Sequence, residues 1–291
     1  MSGRAITIAV LSGKGGTGKT LVSVNLAAVS SEAVYVDCDV EEPNGSLFLK
    51  PEVHSSETVA VRIPEIVADR CTGCRQCVDF CAFNALAFVN SSPILFDEVC
   101  HACGGCALLC PAGAIGEKAK SVGEVFSGRA GNVTVHSGSL KIGEASGIPI
   151  IKQLMKKISG EEGRPIFVDC PPGSSCTTLE SIQSADFCLL VAEPTVFGAH
   201  NLAMVFELAG LFGKPCGVVL NKCLEGEDPA ETFCRKNGLP ILGRIPFDHE
   251  LGMLNSEGKV AARESDRFRM LFADLLERIW KEVEHEAASD S

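Results

Sequence analysis

Residues 5–20 read AITIAVLSGKGGTGKT, and the fold is decided by how this stretch is read. Residues 5–11 are a continuous apolar run rich in β-branched side chains, as expected of a strand buried on both faces of a parallel sheet. Gly13-Lys14-Gly15-Gly16-Thr17-Gly18-Lys19-Thr20 follows and matches the phosphate-loop pattern G-x-x-x-x-G-K-[ST]. Apolar residues then recur at helical spacing over 21–28. In that strand–loop–helix context, glycines let backbone N–H groups close around phosphate oxygens at the positive end of the helix. Lys19 is expected to neutralise β/γ-phosphate charge, and Thr20 to give its hydroxyl to Mg²⁺. The cofactors implied are ATP and Mg²⁺.

Moving outward, residues 33–36 (AVYV) read as a second strand that closes a βαβ unit. Short apolar runs at 166–168, 187–192, 216–220 and 240–242 read as further strands. Helical patterns fall at 148–158, 199–211, 228–236 and 267–283. This alternation predicts a doubly wound, mostly parallel α/β sheet. Two strand ends carry carboxylates. Asp37-Cys38-Asp39 closes the second strand, and Phe167-Val168-Asp169-Cys170-Pro171-Pro172-Gly173 places Asp169 where it can contact Mg²⁺.

The 291 residues include 46% hydrophobic and 22% charged, an ordinary globular composition that excludes disordered and collagen-like chains. A net charge of −11 argues against nucleic acid or an anionic membrane as partner. No run of 18 apolar residues is present, so no membrane span is expected. No secretory signal is evident, and a cytoplasmic location is expected. The stripe of Phe268, Leu271, Phe272, Leu275, Ile279 and Val283 on the last helix is expected to pack on the domain. Its polar face is not lysine-rich and residues 282–290 are acidic, which disfavours a membrane role.

The fifteen cysteines are the anomaly, and an odd number cannot all pair. Eight of them fall in a repeat where the α/β rhythm stops, over residues 62–117. Cys71-x2-Cys74-x2-Cys77-x3-Cys81 is followed 29 residues on by Cys100-x2-Cys103-x2-Cys106-x3-Cys110-Pro111, and Ala85 and Ala114 stand at equivalent places. The repeat matches the bacterial two-cluster ferredoxin run, in which each fourth cysteine serves the other cluster. It predicts one 4Fe–4S cluster on Cys71, Cys74, Cys77 and Cys110, and a second on Cys100, Cys103, Cys106 and Cys81. Zinc is the competing occupant, since paired CxxC also binds zinc. Cys81 is followed by Ala82 where the run has proline. The reading divides the chain into an ATPase domain, 1–61 and 118–291, and an inserted ferredoxin-like α+β domain, 62–117. Residues 123–138, with a turn at 128–131, are expected to form a hairpin back to the sheet. Of the other seven cysteines, Cys38, Cys188 and Cys216 read as core, while Cys170 and Cys176 flank the turn after Asp169.

The order of these parts resembles the MinD/ParA/Mrp superfamily of deviant Walker A (SIMIBI-class) P-loop ATPases with an inserted ferredoxin domain. Lys14, the extra lysine in the loop, resembles the residue that reaches the nucleotide of the opposite subunit in an ATP-dependent sandwich dimer. The resemblance makes Asp39 the switch residue that orients the attacking water and links to Mg²⁺. It makes Asn221 an adenine contact, and Ile245-Pro246-Phe247-Asp248 the loop on the other side of the base. Mrp-type proteins carry a CxxC in the C-terminal half for a bridging cluster, and no such motif follows Cys110 here. The function implied is a Mg-dependent ATPase that couples the nucleotide state of a homodimer to electron transfer through two 4Fe–4S clusters. The alternatives are an iron–sulfur carrier that hands clusters to apo-proteins, and a positioning ATPase with redox-sensing clusters. The redox or apo-protein partner is not identified by the sequence.

Overall fold

A computed structural model describes residues 5–226 and 228–289, with side chains to residue 286. Asp290, the end of the acidic tail, lies outside the described residues. The chain begins β1 (Thr7–Leu11), α1 (Lys19–Val29), β2 (Ala33–Asp37), α2 (Gly45–Leu49) and the long strand β3 (Glu52–Ile66). The cysteine repeat contributes α3 (Gln76–Phe80), β4 (Leu86–Val89), β5 (Ser92–Leu95) and α4 (Gly105–Leu108). The chain returns through β6 (Ile115–Ala130) and β7 (Val133–Leu140). It then alternates as α5 (Ile148–Ile158), β8 (Ile166–Asp169), α6 (Cys176–Ile182), β9 (Phe187–Ala192), α7 (Val196–Leu211), β10 (Cys216–Cys223), α8 (Pro229–Lys236) and β11 (Ile241–Pro246). Helices α9 (His249–Ser256), α10 (Ala261–Glu264) and α11 (Asp266–Ser289) complete it.

The described residues form a nine-stranded sheet of order β11-β10-β9-β1-β8-β2-β7-β6-β3. Strands β11 to β7 pair in parallel, whereas β6 pairs antiparallel with both β7 and β3. The period of two along a strand explains why the parallel part needs helices on both sides. On β1, Ala9 and Leu11 pack into one core with α5, α7 and α8, and Ile8 and Val10 pack into another with α1, α10 and α11. On β2, Val34 and Val36 face the first core and Ala33 and Tyr35 the second. The apolar stripe of α11 lies in this second core, with Phe268, Phe272 and Ile279 at most 1% exposed. It packs on the domain as its polar face suggested.

Several boundaries differ from the sequence reading. The hairpin turn occupies residues 131–132, so of the expected turn 128–131 only Gly131 (φ 64°) belongs to it. Gly128, Arg129 and Ala130 continue the strand by pairing with Val135, Thr134 and Val133 of β7, and the αL conformation at Gly131 makes the turn. Strand β10 runs on to Cys223, so Asn221 lies within the strand and pairs with Ile245. β3 had no periodic signature. Most of its side chains are exposed, and its partners on β6 are 49 to 77 residues away in sequence, from Ile66–Ile115 to Glu52–Arg129. Both β3 and β6 pass unbroken through residues 61–62 and 117–118, where the reading placed domain boundaries.

β7 carries one buried polar pair. His136 Nδ1 lies 2.8 Å from Ser127 Oγ on β6, and no partner is found for His136 Nε2 among the described residues. Burial disfavours the imidazolium and lowers the His136 pKa. The folded state therefore takes up this proton later than the unfolded state as pH falls, so the contribution of His136 is lost on acidification through about pH 6.5. Denaturant melts of His136→Gln and the parent between pH 7.5 and 5 should show the parent losing more stability on acidification. Equal slopes would contradict the assignment. Truncation of the fully buried Phe272 to Ala should cost about 3–5 kcal/mol in the same assay.

Candidate functional site: a phosphate loop beside three carboxylates, and two cysteine-lined cavities

Strand β8 lies between β1 and β2, and this adjacency assembles the first site. Val10 is in register with Asp169, and Asp37 with Asp169. The loop after β1 and the acids closing β2 and β8 therefore meet at the carboxyl edge of the sheet, where open α/β sheets bind ligands. Two glycines of the loop are sterically required. A Cβ on Gly13 would lie 2.3 Å from the Asn201 carbonyl oxygen of α7. A Cβ on Gly18, which has φ 101°, would lie 2.1 Å from Asn221 Nδ2.

Lys19, 6% exposed, directs its ammonium to Asp169 Oδ1 at 2.6 Å, with Asp39 Oδ2 at 4.0 Å. The Tyr35 hydroxyl donates to Asp169 Oδ2 at 2.9 Å. Asp37 accepts from the Gly45 amide at 2.8 Å and the Asp39 amide at 3.2 Å, so it fastens the start of α2. One ammonium thus faces three carboxylates. Burial and repulsion from Asp169 push Asp37 well above the usual carboxylate range. Burial likewise raises Asp39, to about 6, although Lys19 opposes the shift. Burial disfavours the charged Lys19, but Asp169 outweighs it and the pKa is raised. This surplus of oxygen donors and negative charge is the chemistry of a hard divalent cation. Thr20, Asp39 and Asp169 are the residues that could hold it.

A cavity of about 640 Å³ opens over the loop. Lys14, Gly15, Gly16, Thr17, Gly18, Lys19, Thr20 and Asp39 line it, together with Leu47 and Phe48 of α2 and residues 255–258 at the C-terminal end of α9. Its size suits a cofactor-sized ligand. Gly13 lies behind the loop against α7. The residues expected to enclose the base are placed elsewhere. Asn221 does not line this cavity; its side chain is buried and donates to the Thr17 carbonyl at 2.7 Å, bracing the loop. Pro246 and Phe247 also lie outside it, Phe247 is 54% exposed, and Asp248 caps α9 through the Leu251 amide. Lys14 forms an ion pair with Glu193 Oε2 at 2.7 Å. The other Glu193 oxygen takes Lys222 at 2.7 Å, and Lys222 also donates to the Gly16 carbonyl. Burial works against the Glu193 carboxylate, yet the two lysines hold its pKa below the ordinary value.

Tyr35, Glu193, Lys222 and residues 255–258 were not singled out in the sequence. Tyr35 carried a signal, being the one tyrosine of the chain and set in an otherwise aliphatic strand, because a buried phenol needs a partner. Glu193 directly follows β9 at the same sheet edge. Residues 255–258 had no signal, because α9 brings them in from another part of the chain.

The eight repeat cysteines form two further groupings. One cavity is lined by Cys71, Cys74, Cys77 and Cys110, and another, of about 180 Å³, by Cys81, Cys100, Cys103 and Cys106. All eight are free thiols. The two halves have the same local build at the 29-residue offset. A 3₁₀ turn precedes each run, at Ala68–Arg70 and Asp97–Val99, and the helix caps Arg75 and Gly104 are both αL. The Ala85 amide donates to Cys81 Sγ at 3.3 Å, and the Ala114 amide to Cys110 Sγ at 3.2 Å. Ile66 pairs with Ile115 as Leu95 pairs with Leu86. Of the remaining cysteines, Cys38, Cys170, Cys188 and Cys234 are buried, Cys216 and Cys223 half-buried, and Cys176 exposed. Cys216 is therefore less enclosed than expected.

No described helix is long and apolar enough to cross a membrane. The solved structure of the cell division ATPase MinD from Pyrococcus furiosus superposes with a TM-score of 0.60 over 95% of this chain and 99% of its own, at 20% identity. MinD of Pyrococcus horikoshii, solved with Mg-ADP, gives 0.60 over 94% and 96%, at 19% identity. These identities speak for the fold alone. An uncharacterized protein of Methanocaldococcus jannaschii is 32% identical over 95% of this chain and 97% of its own length. A protein named an iron-sulfur cluster carrier in Methanococcus maripaludis is 25% identical over 94% and 86%. The pattern of the CobQ/CobB/MinD/ParA nucleotide binding domain matches residues 8–261. With its phosphate loop, strand-end acids and mostly parallel sheet, the chain belongs to this MinD/ParA nucleotide-binding family.

Proposed function

We propose that the chain is a Mg²⁺-dependent ATPase that binds two 4Fe–4S clusters and couples nucleotide state, in a homodimer, to electron transfer through them. The observation that carries the reading is the division of the eight cysteines between two cavities. Each cavity holds three cysteines of one run and the fourth of the other, the partition the spacing predicts. Eight soft thiol donors in two quartets suit iron–sulfur better than an oxygen-seeking ion. Bound there, the clusters would supply one-electron transfer. The amides of Ala85 and Ala114 would favour thiolate at Cys81 and Cys110.

At the other site, ATP phosphates compete with Asp169 for Lys19, and Asp169 is then available to Mg²⁺ with Thr20 and Asp39. Asp39 would orient the attacking water. Lys14, part-exposed on the loop, would exchange Glu193 for the nucleotide of a second copy. The route between the sites is short in topology. Asp37 holds the first residue of α2, whose Leu47 and Phe48 line the nucleotide cavity, and β3 starts three residues after α2. β6 returns to β7, whose Leu140 amide donates to the Val40 carbonyl beside Asp39. The cysteine segment is thus carried on a ribbon joined to the Asp37–Asp39 turn through α2 on one strand and through β7 on the other.

A second reading, cluster delivery to apo-proteins, is favoured by the carrier name of the Methanococcus maripaludis relative. Anaerobic turnover with ATP separates the two: stable clusters that change redox state support electron transfer, and net transfer of iron to an apo-acceptor supports delivery. Lys19→Ala should weaken ATP binding about 100-fold, or ~2.8 kcal/mol, in a calorimetric titration with Mg²⁺. Unchanged affinity would rule out this loop as the ATP site. ATP-dependent dimerisation, followed by analytical ultracentrifugation, should be lost in Lys14→Ala with nucleotide binding retained.

A further inference from the structure

The two cysteine sites match in backbone but not in charge. Arg75 and Gly104 occupy equivalent αL cap positions, at φ 63° and 73°. Arg75 lines the cavity of Cys71, Cys74, Cys77 and Cys110, with its guanidinium carbon 5.3 Å from the centroid of the Phe88 ring in the same lining. It is the only lysine, arginine or carboxylate lining either cysteine cavity among the described residues. At the second site the cap has no side chain, and the space is bordered by an acid: a Cβ on Gly104 would stand 3.4 Å from Glu117 Oε1. The flanking residues lean the same way. Residues 68–81 hold two acids, Asp69 and Asp79, with two arginines, Arg70 and Arg75; the equivalent 97–110 hold Asp97 and Glu98 with no lysine or arginine. The cation nearest Asp97, Lys120, is 2.9 Å from Glu144 and 3.8 Å from the Asp97 carboxylate, so it is shared between two acids.

We infer that Arg75 and Glu117 set unequal reduction potentials, with the higher-potential cluster at Cys71, Cys74, Cys77 and Cys110. This rests on the two-cluster reading above. Reduction adds one negative charge to a cluster, so a nearby guanidinium stabilises the reduced state and a carboxylate destabilises it. One electron from a low-potential one-electron donor would settle on the first cluster. An electron arriving at the second site would pass to the first, oxidising one cluster and reducing the other by one electron, with no bond made and no proton moved. Both side chains are exposed, so salt attenuates the effect without reversing it.

The test uses the full chain reconstituted anaerobically with ferrous iron and sulfide, then titrated with dithionite and followed by EPR. About eight iron and eight sulfide per chain establish two clusters. The parent should show two reduction steps. Arg75→Gln should shift the upper step downward by roughly tenfold in its one-electron equilibrium, ~59 mV. Arg75→Lys should retain most of that potential, because the charge is kept. Glu117→Gln should raise the lower step and leave the upper one in place. If two clusters form and neither substitution moves a potential, or Arg75→Gln moves the lower step, the charge assignment is wrong and the cluster reading stands. If no clusters form, both are wrong.

Discussion

A single buried ammonium facing three carboxylates is the constraint on which the nucleotide site depends. Lys19 can sit there because Asp169 accepts it at 2.6 Å, and Asp169 is in turn fixed by the Tyr35 hydroxyl. Removing one partner from such a pair leaves an uncompensated buried charge, so the arrangement is sensitive to each member. The excess negative charge also gives it direction. Burial and repulsion among the acids hold Asp37 and Asp39 above the ordinary carboxylate range, a cost that a cation beside Asp39 and Asp169 would relieve. The sheet order makes this possible. β8 is the strand between β1 and β2, so the loop and both acids share one edge.

The antiparallel extension of the sheet has a different purpose. β3 and β6 are mostly exposed on the part that carries the cysteines, and their pairing runs from the edge of the ATPase core to Ile66 and Ile115, inside the small apolar cluster of the repeat. A paired ribbon is stiffer than two loops, because each residue is tied into the ladder. The cysteine segment is consequently held by two strands at the sheet edge, and β7 alone separates them from β2 and its Asp37–Asp39 turn. The repeat keeps its backbone symmetry through αL caps, 3₁₀ turns and amide–sulfur contacts, and varies its charges independently of them.

Much was legible from local pattern. The strand–loop–helix of residues 5–28 has its glycines, its lysine and its apolar period all within one stretch, and the structure places β1 and α1 there. The bounds read for α5 are those observed, because Ile150, Ile151, Leu154 and Ile158 mark one helical face. β3 was not legible, since an exposed edge strand needs no apolar alternation and its stability comes from a partner far along the chain. The placing of Asn221 and residues 246–248 was not legible either. Polar residues at strand ends look alike in sequence whether they meet a ligand, brace a loop or cap a helix.

The sequence by itself determined the parallel α/β class, the phosphate loop, the strand-end acids and the pairing of eight cysteines into two sets, because each is written in spacing that spans a turn or a strand. Tertiary structure alone decided which acid takes Lys19, that Glu193 takes Lys14, and that residues 255–258 enclose the cavity. It also decided that Arg75 borders one cysteine set and Glu117 the other. These are relations between side chains brought together by strand order and helix packing, and neither has a period that a linear reading can detect.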